Sequence, residues 1–403
     1  MKAWMSAALL ASLAALAAAQ ETRVSTPEAL REALGKAAAG ATILVEAGDY
    51  QGYFGAANLQ GTPERPIVLA AADPARPPVF RGARECIHLS SVSHIVLRGL
   101  VLTGARYNGL NVDDGGTLTT PSRHIVLEGL TVRDIGPRGN CDGIKLSGVD
   151  DFLIRGCTIE RWGSGGSAID MVGCHRGIIA DTTFRHGAGG ASGVQAKGGS
   201  ADIVIYRCRF ERAGERAINM GGSSALAFFR PPAPGYEARR IVAIGNTFVG
   251  SDAPLAFVGS EDCLASFNTI HRPTGWVLRI LQENRRPGFA PSRNGTFRRN
   301  IVVWRHRELR AMAGVGPLTA PETFRFEHNW WYCEDRPAAS HPALPTADRS
   351  PVVGQDPGLR VDGAIITTAR ELGHGAGAPA AAEEFARIAL KLAPWAFERT
   401  AWE

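Results

Sequence analysis

HIVLRGLVLTG (94–104), HIVLEGLTVRD (124–134), FLIRGCTIERW (152–162), GIIADTTFRHG (177–187), IVIYRCRFERA (203–213) and IVAIGNTFVGS (241–251) are copies of one segment. Weaker copies follow at CLASFNTIHRP (263–273), GTFRRNIVVWR (295–305) and FRFEHNWWYCE (324–334). The late apolar position of each copy gives Leu102, Val132, Ile159, Phe184, Phe210, Phe248, Ile270, Val302 and Trp331, and its central steps are 27, 25 and 26 residues. Each unit holds short alternating strands between Gly-containing corners, with no room for a crossover helix. The spacing is not that of leucine-rich repeats or propeller blades. This predicts a solenoid of parallel strands stacked at about 4.8 Å, an all-β right-handed parallel β-helix.

The residue before the apolar position extends the pattern, reading Cys157, Thr182, Cys208, Asn246, Asn268, Asn300 and Asn329. Asparagines stacked at a corner satisfy the backbone of the turn and one another, so an inward ladder is expected there. A second strand recurs as LNVDD, IKLSG, IDMVG, VQAKG and INMGG. Alternate residues of a strand share a face. Ile144, Ile169, Val194 and Ile218 therefore point inward, while Asn111, Lys145, Asp170, Gln195 and Asn219 form an outward column. A neighbouring outward column runs Asp113, Ser147, Val172, Lys197 and Gly221. Five levels of amide, acid and amine at about 5 Å steps match the repeat of a sugar chain. GWVLRILQEN extends the face with Arg279, Gln282 and Glu283. FFRPPAPGYEARR lengthens one coil into a wall carrying Phe228, Phe229 and Tyr236, rings that either stack on sugar or cover core.

Lysine is scarce: Lys2, Lys36, Lys145, Lys197 and Lys391 are five of the 44 basic residues. Lys145 and Lys197 alone fall in the coils, both on the polar face. Lys145 lies beside Asp170 in one column, which predicts an ion pair. Lys197 has Val172 and Gly221 as ladder neighbours, which predicts an unpaired amine suited to proton abstraction or to a substrate carboxylate.

The chain opens with MKAWMSAALLASLAALAAAQ, a charged start, an apolar run and small residues, the pattern of an export signal over 1–19. Residues 20–403 are then expected as one periplasmic or secreted domain: N-terminal cap and first coil over about 20–60, repeated coils over about 61–335, and a closing cap over about 336–403. Thr26-Pro-Glu-Ala-Leu-Arg opens a capping helix that protects the first edge strand. Seven cysteines without a C-x-x-C pair give neither a disulfide framework nor a zinc site. No membrane or nucleic-acid partner is expected; the net charge of +5 is small for 403 residues. A monomer acting on an acidic polysaccharide or oligosaccharide is the expectation.

ATILVEAGDYQG, GTPERPIVLAA, the HIVLRGL coils and the lysine strand together resemble the β-helix polysaccharide lyases typified by chondroitinase B and alginate lyases. The resemblance implies β-elimination on a uronic acid, with a lysine removing the C5 proton, an arginine of the next coil assisting, and calcium neutralising the carboxylate. Lys197 occupies the lysine position. INMGG stands where the arginine is expected, with Arg216 just upstream and Arg279 two coils on as substitutes. Asn111, Lys145, Asp170, Gln195, Asn219 and Arg279 are then substrate-binding residues. GAGGASGVQ carries no carboxylate for calcium, so no metal or other cofactor is predicted.

Two alternatives stay open. One is a glycan-binding or surface β-helix protein without catalysis. The other is a polygalacturonase-like hydrolase using Asp142, Asp170 and His175. Register separates Asp142 from Asp170 by about 11 Å, outside the ~6.5–9.5 Å of an inverting pair.

Overall fold

The computed structural model describes residues 20–187, 189, 192–360 and 367–396. The expected export signal over 1–19 lies outside them. Three parallel sheets of 14, 12 and 10 strands run the length of the coil, and each turn of chain adds one strand to each. The first sheet includes Ile67–Ala71, Ser93–Arg98, Ser122–Glu128, Val149–Arg155, His175–Ala180, Ser200–Tyr206 and Ala238–Ile244. The second carries the apolar column. Leu102, Val132, Ile159, Phe184, Phe210, Phe248, Ile270, Val302 and Trp331 are in register from strand to strand. Phe210 stacks between Phe184 and Phe248 with ring centroids 4.7 and 4.9 Å away. The column also reaches back to Phe80 and Tyr50.

The corner between the first two sheets explains how a 25-residue turn of chain closes. Gly99, Gly129 and Gly156 have φ of 67°, 61° and 62°, where glycine pays no steric cost. Asp181, Arg207, Phe267, Arg299 and His328 hold the equivalent place at φ of 50–55°, a conformation that disfavours L-residues by roughly 1–2 kcal/mol. The inward residue that follows offsets that strain. Asn268 accepts from the Asn246 backbone N–H and donates to the Ala243 carbonyl, and Asn300 and Asn329 repeat the pattern. Thr182 Oγ1 and Asn246 Oδ1 accept from the backbones of Cys157 and Cys208, so the two cysteines sit inside the same ladder. All seven cysteines are free and buried.

At the N-terminal end, Thr26 caps the helix Pro27–Lys36 by accepting from the Ala29 N–H at 3.2 Å, and Leu30 and Leu34 enter the core. Gln20–Val24, ahead of the helix, forms an unexpected first strand paired with Ala41–Val45. The other end departs from the expectation of a closing cap over 336–403. Asp348–Arg349 and Val352–Val353 add another rung to the first two sheets. The helix Pro379–Leu392 instead returns along the flank of the first sheet. Phe385 stacks on Tyr206 with centroids 3.8 Å apart, Glu384 takes Arg298 and Ser266, and Trp395 Nε1 donates to the Arg176 carbonyl. The first sheet exposes apolar Val96, Val126, Leu153, Ile178, Val204 and Val242 on its outer side, and this helix covers them. No helix among the described residues is long and apolar enough to cross a membrane.

Candidate functional site

The third sheet carries the polar columns, and its pairing has the expected register. One column runs Gly55, His88, Asn111, Lys145, Asp170, Gln195, Asn219, Ala256, Arg279 and Gly314. The other runs Ala57, Ser90, Asp113, Ser147, Val172 and Lys197. Their inward neighbours Leu110, Ile144, Ile169, Val194 and Ile218 are buried, so the face that looks outward is fixed by core packing.

A cleft of about 950 Å³ lies over the N-terminal half of this sheet. Asn111, Lys145 and Lys197 line it together with Asp113, Ser147 and Asn140. Loop residues Gly115, Gly116 and Leu118 contribute one part of the rim, and Ser223, Ser224, Ala225, Phe228 and Arg230 another. Phe228 is 61% exposed in the wall. Phe229 packs on Phe289 and Tyr236 lies under Arg239, so these two serve the loop's own core. Two anchors hold the wall. Arg230 reaches the Asp150 carboxylate and donates to the Gly173 carbonyl at 2.9 Å. Glu237, fully buried, accepts from the backbone N–H groups of Gly198 and Ser224 and from Asn284 Nδ2, each at 2.9 Å. Gly198 follows Lys197 directly, so Glu237 ties the wall to the lysine strand.

Lys197 is not the unpaired amine the ladder suggested. Its Nζ lies 3.2 Å from Asp170 Oδ1 and 3.4 Å from Gln195 Oε1. Its rung neighbours are indeed apolar or absent, but a lysine stem reaches diagonally across to the adjacent column. The expected pair of Lys145 with Asp170 is present, with Asp170 Oδ2 as its acceptor. Asp142 Oδ2 lies 3.7 Å from the same Lys145 ammonium, and Asp142 Oδ1 accepts from the Ser167 N–H at 2.7 Å. Two carboxylates and two ammonium groups thus alternate beneath the cleft floor. Asp142 and Asp170 sharing one ammonium overturns the 11 Å separation expected from register: Asp142 precedes its strand, and the chain turns it back toward Lys145. Asp170 was expected to face substrate, but only 1% of its surface is exposed because both lysines cover it.

The electrostatics follow. Burial works against the Asp170 charge, but Lys145 and Lys197 outweigh it and hold the carboxyl below the ordinary range. Burial also opposes the Lys145 charge, yet Asp170 and Asp142 together raise its pKa. Asp142 is pushed up to about 7, first by burial and then by the neighbouring Asp170 charge.

Arg216 and Arg279, expected beside the lysine, do not line the cleft. Arg216 pairs with Glu283 at 2.7 Å, while Arg279 lies over Trp276 and 3.7 Å from Glu215. Asn219 stays on the column but is buried, also away from the cleft lining. Gln282 accepts from the Ser292 N–H and donates to the Asn284 carbonyl, an internal brace. His175 is held by Asp150, Arg230 and the Gly199 carbonyl, a structural role. The missed group lies one coil before Asn111. His88 Nε2 lies 2.6 Å from Asp113 Oδ2, Ser90 donates to Asp113 Oδ1, and Tyr53 OH contacts His88 Nδ1. The hydrogen bond with Asp113 raises the His88 pKa; burial opposes the Asp113 charge, but His88, Ser90 and the Gly115 N–H keep that carboxyl low. Extending the column upward from Asn111 to IHLS would have found it.

Residues near Lys197 do not suit a calcium ion. Asp142 and Asp170 are engaged by lysine, and among the described residues no group of three or more His, Cys, Asp or Glu side chains could hold a metal.

Residues 85–230 match a family model described as a right handed beta helix region. The chain is a right-handed parallel β-helix. Solved structures with the same coil include an alginate lyase from Paenibacillus sp. str. FPU-7, 18% identical, covering 74% of this chain and 96% of that one, with a TM-score of 0.51. Pectate lyase Pel9A is 13% identical over 76% of this β-helix and 79% of its own chain, at 0.52. The GH136 lacto-N-biosidase from Eubacterium ramulus is 14% identical over 83% and 67%, at 0.56. These likenesses establish the fold. No curated protein matches the β-helix in sequence.

Proposed function

We propose that this β-helix is an exported carbohydrate-active protein that binds an acidic glycan in the cleft and cleaves it by β-elimination. The observation carrying this reading is that the two coil lysines, Lys145 and Lys197, stand together at the cleft floor over one shared buried carboxylate. An ammonium beside a uronate carboxylate stabilises the negative charge that develops when the adjacent C5 proton leaves. Lys145, locked as an ammonium between Asp142 and Asp170, fills that role. Lys197 passes a proton to water in the open cleft and then takes the C5 proton, the C4–O bond breaks, a C4–C5 double bond forms, and that water protonates the leaving oxygen. Asn111 orients the ring and Phe228 offers it an apolar face, while Gln195, outside the cleft lining, holds the Lys197 ammonium at 3.4 Å. That an alginate lyase and a pectate lyase are built on the same coil is compatible with this chemistry.

The test is incubation of the purified protein with a panel of uronic-acid polymers, following absorbance of the unsaturated product. Product is expected with at least one polymer and, with Lys197→Ala, a loss of at least about 100-fold, the usual weight of a positioned base. Reducing ends without the chromophore would replace elimination by hydrolysis, and binding without any product would leave a glycan-binding protein.

A further inference from the structure

We propose that Asp142 is a positioning residue acting through Lys145: carrying a proton, it leaves the lysine pair an excess positive charge for a substrate carboxylate, and without the proton the cluster neutralises itself. This rests on the acidic-glycan reading and adds what controls recognition at that site.

The argument is one of charge counting at a built cluster. Lys145 is bracketed by Asp142 Oδ2 at 3.7 Å and by Asp170, and Lys197 completes the chain at 3.2 Å from Asp170. With both acids ionised, two negative charges meet two positive ones. With a proton on Asp142, one carboxylate faces two ammonium groups, and the surplus charge lies at the cleft floor where Lys145 and Lys197 are the exposed members. Asp142 itself is 2% exposed and touches no cleft volume, so it acts on a ligand only through the lysine.

The groups around Asp142 leave it free to change charge. Its Oδ1 accepts from the Ser167 N–H, and its own N–H donates to Asn108 Oδ1, neither of which titrates. Facing it are Lys145 on the strand that follows it, Asp170 on the next, Lys197 beyond, and the adjacent thiol of Cys141. Cys174, which interacts with Lys145 and Asp170, has its thiol pushed up to about 12 by burial and stays neutral. Asp170 is held ionised by both lysines. Asp142 is therefore the member whose protonation varies near neutrality, in line with its pKa of about 7. An arriving carboxylate adds a negative charge nearby and draws a proton onto Asp142.

Titration calorimetry of oligosaccharides that carry a single uronate at the non-reducing end, where C4 bears only a hydroxyl and no glycosidic bond can be eliminated, measures this directly. In buffers of different ionisation enthalpy, binding near pH 7 should take up about half a proton per ligand. Affinity should fall by about 5- to 10-fold between pH 6 and pH 8. Asp142→Asn, which mimics the protonated acid and keeps an acceptor for the Ser167 N–H, should bind at pH 8 as the unmodified protein does at pH 6, with no proton uptake. Uronate binding by the unmodified protein without proton uptake would overturn this inference and leave the acidic-glycan reading standing, as would an Asn variant that keeps the full pH slope. No binding of any uronate oligomer at either pH would sink both.

Discussion

Lys145 and Asp170 were recoverable as a pair because they share a rung, and rungs follow from counting residues between glycine exits. Lys197 was misjudged because its partner is on a diagonal, where only the length and direction of the side chain decide contact. Asp142 makes the same point from outside the strand: strand register does not reach a residue that precedes it. Its raised pKa carries a stability consequence whose sign is opposite to that of the usual carboxylate. A folded pKa near 7 against an unfolded value near 3.9 means the stabilising protonated form is fully present below the unfolded value and is lost as pH rises through 7. Asp142→Asn should therefore raise the melting temperature at pH 8, by a stability of order 1–3 kcal/mol, and change it little at pH 4. Thermal melts at the two pH values check this; an equal shift at both would point to packing instead. In the corner ladder, Asn268→Ala removes the acceptor of the buried Asn246 N–H and the donor to Ala243. A loss of about 1–3 kcal/mol for each group left unpaired is expected in denaturant unfolding.

At the scale of elements, strands of the third sheet place the cleft floor, and a loop makes its wall. Glu237 is the pin between them, holding Gly198 and Ser224 by their N–H groups. Glu237→Ala should leave the coils folded but release the wall that carries Phe228, raising KM for a polymer more than it lowers kcat. Steady-state kinetics on the active polymer reads this, and an unchanged KM would remove the wall from substrate binding. The C-terminal helix Pro379–Leu392 braces a different sheet. Phe385→Ala removes its stack on Tyr206 and should speed hydrogen exchange across 379–392 without altering glycan affinity. From sequence this segment was expected only as a closing cap, so neither the helix nor its docking place was foreseen. A helix period shows that one face must be buried, while the choice of surface depends on which sheet has an unsatisfied apolar stripe.

For the whole molecule, the repeat determined the parallel coil and the columns on two of its faces, while the three-sheet cross-section came from the structure. A residue repeated at a fixed step in a parallel in-register stack must meet its own copies, so Phe184, Phe210 and Phe248 stack and Asn246, Asn268 and Asn300 bond in series. Corners were visible where glycine or the stacked asparagines marked them, but the backbone conformation of the residue before each asparagine was not. Arg207, Phe267 and His328 take the same left-handed conformation because neighbouring coils impose it, and nothing local announces that. The tertiary structure alone decided how the outward side chains resolve: two lysines on one buried aspartate, a second carboxylate supplied from just before the strand, Arg216 and Arg279 drawn to their own acids, and a histidine network two coils before Lys145. Backbone register is set by periodic burial, which sequence displays; charge pairing is set by reach, angle and exclusion of water, which exist only once the coils are stacked.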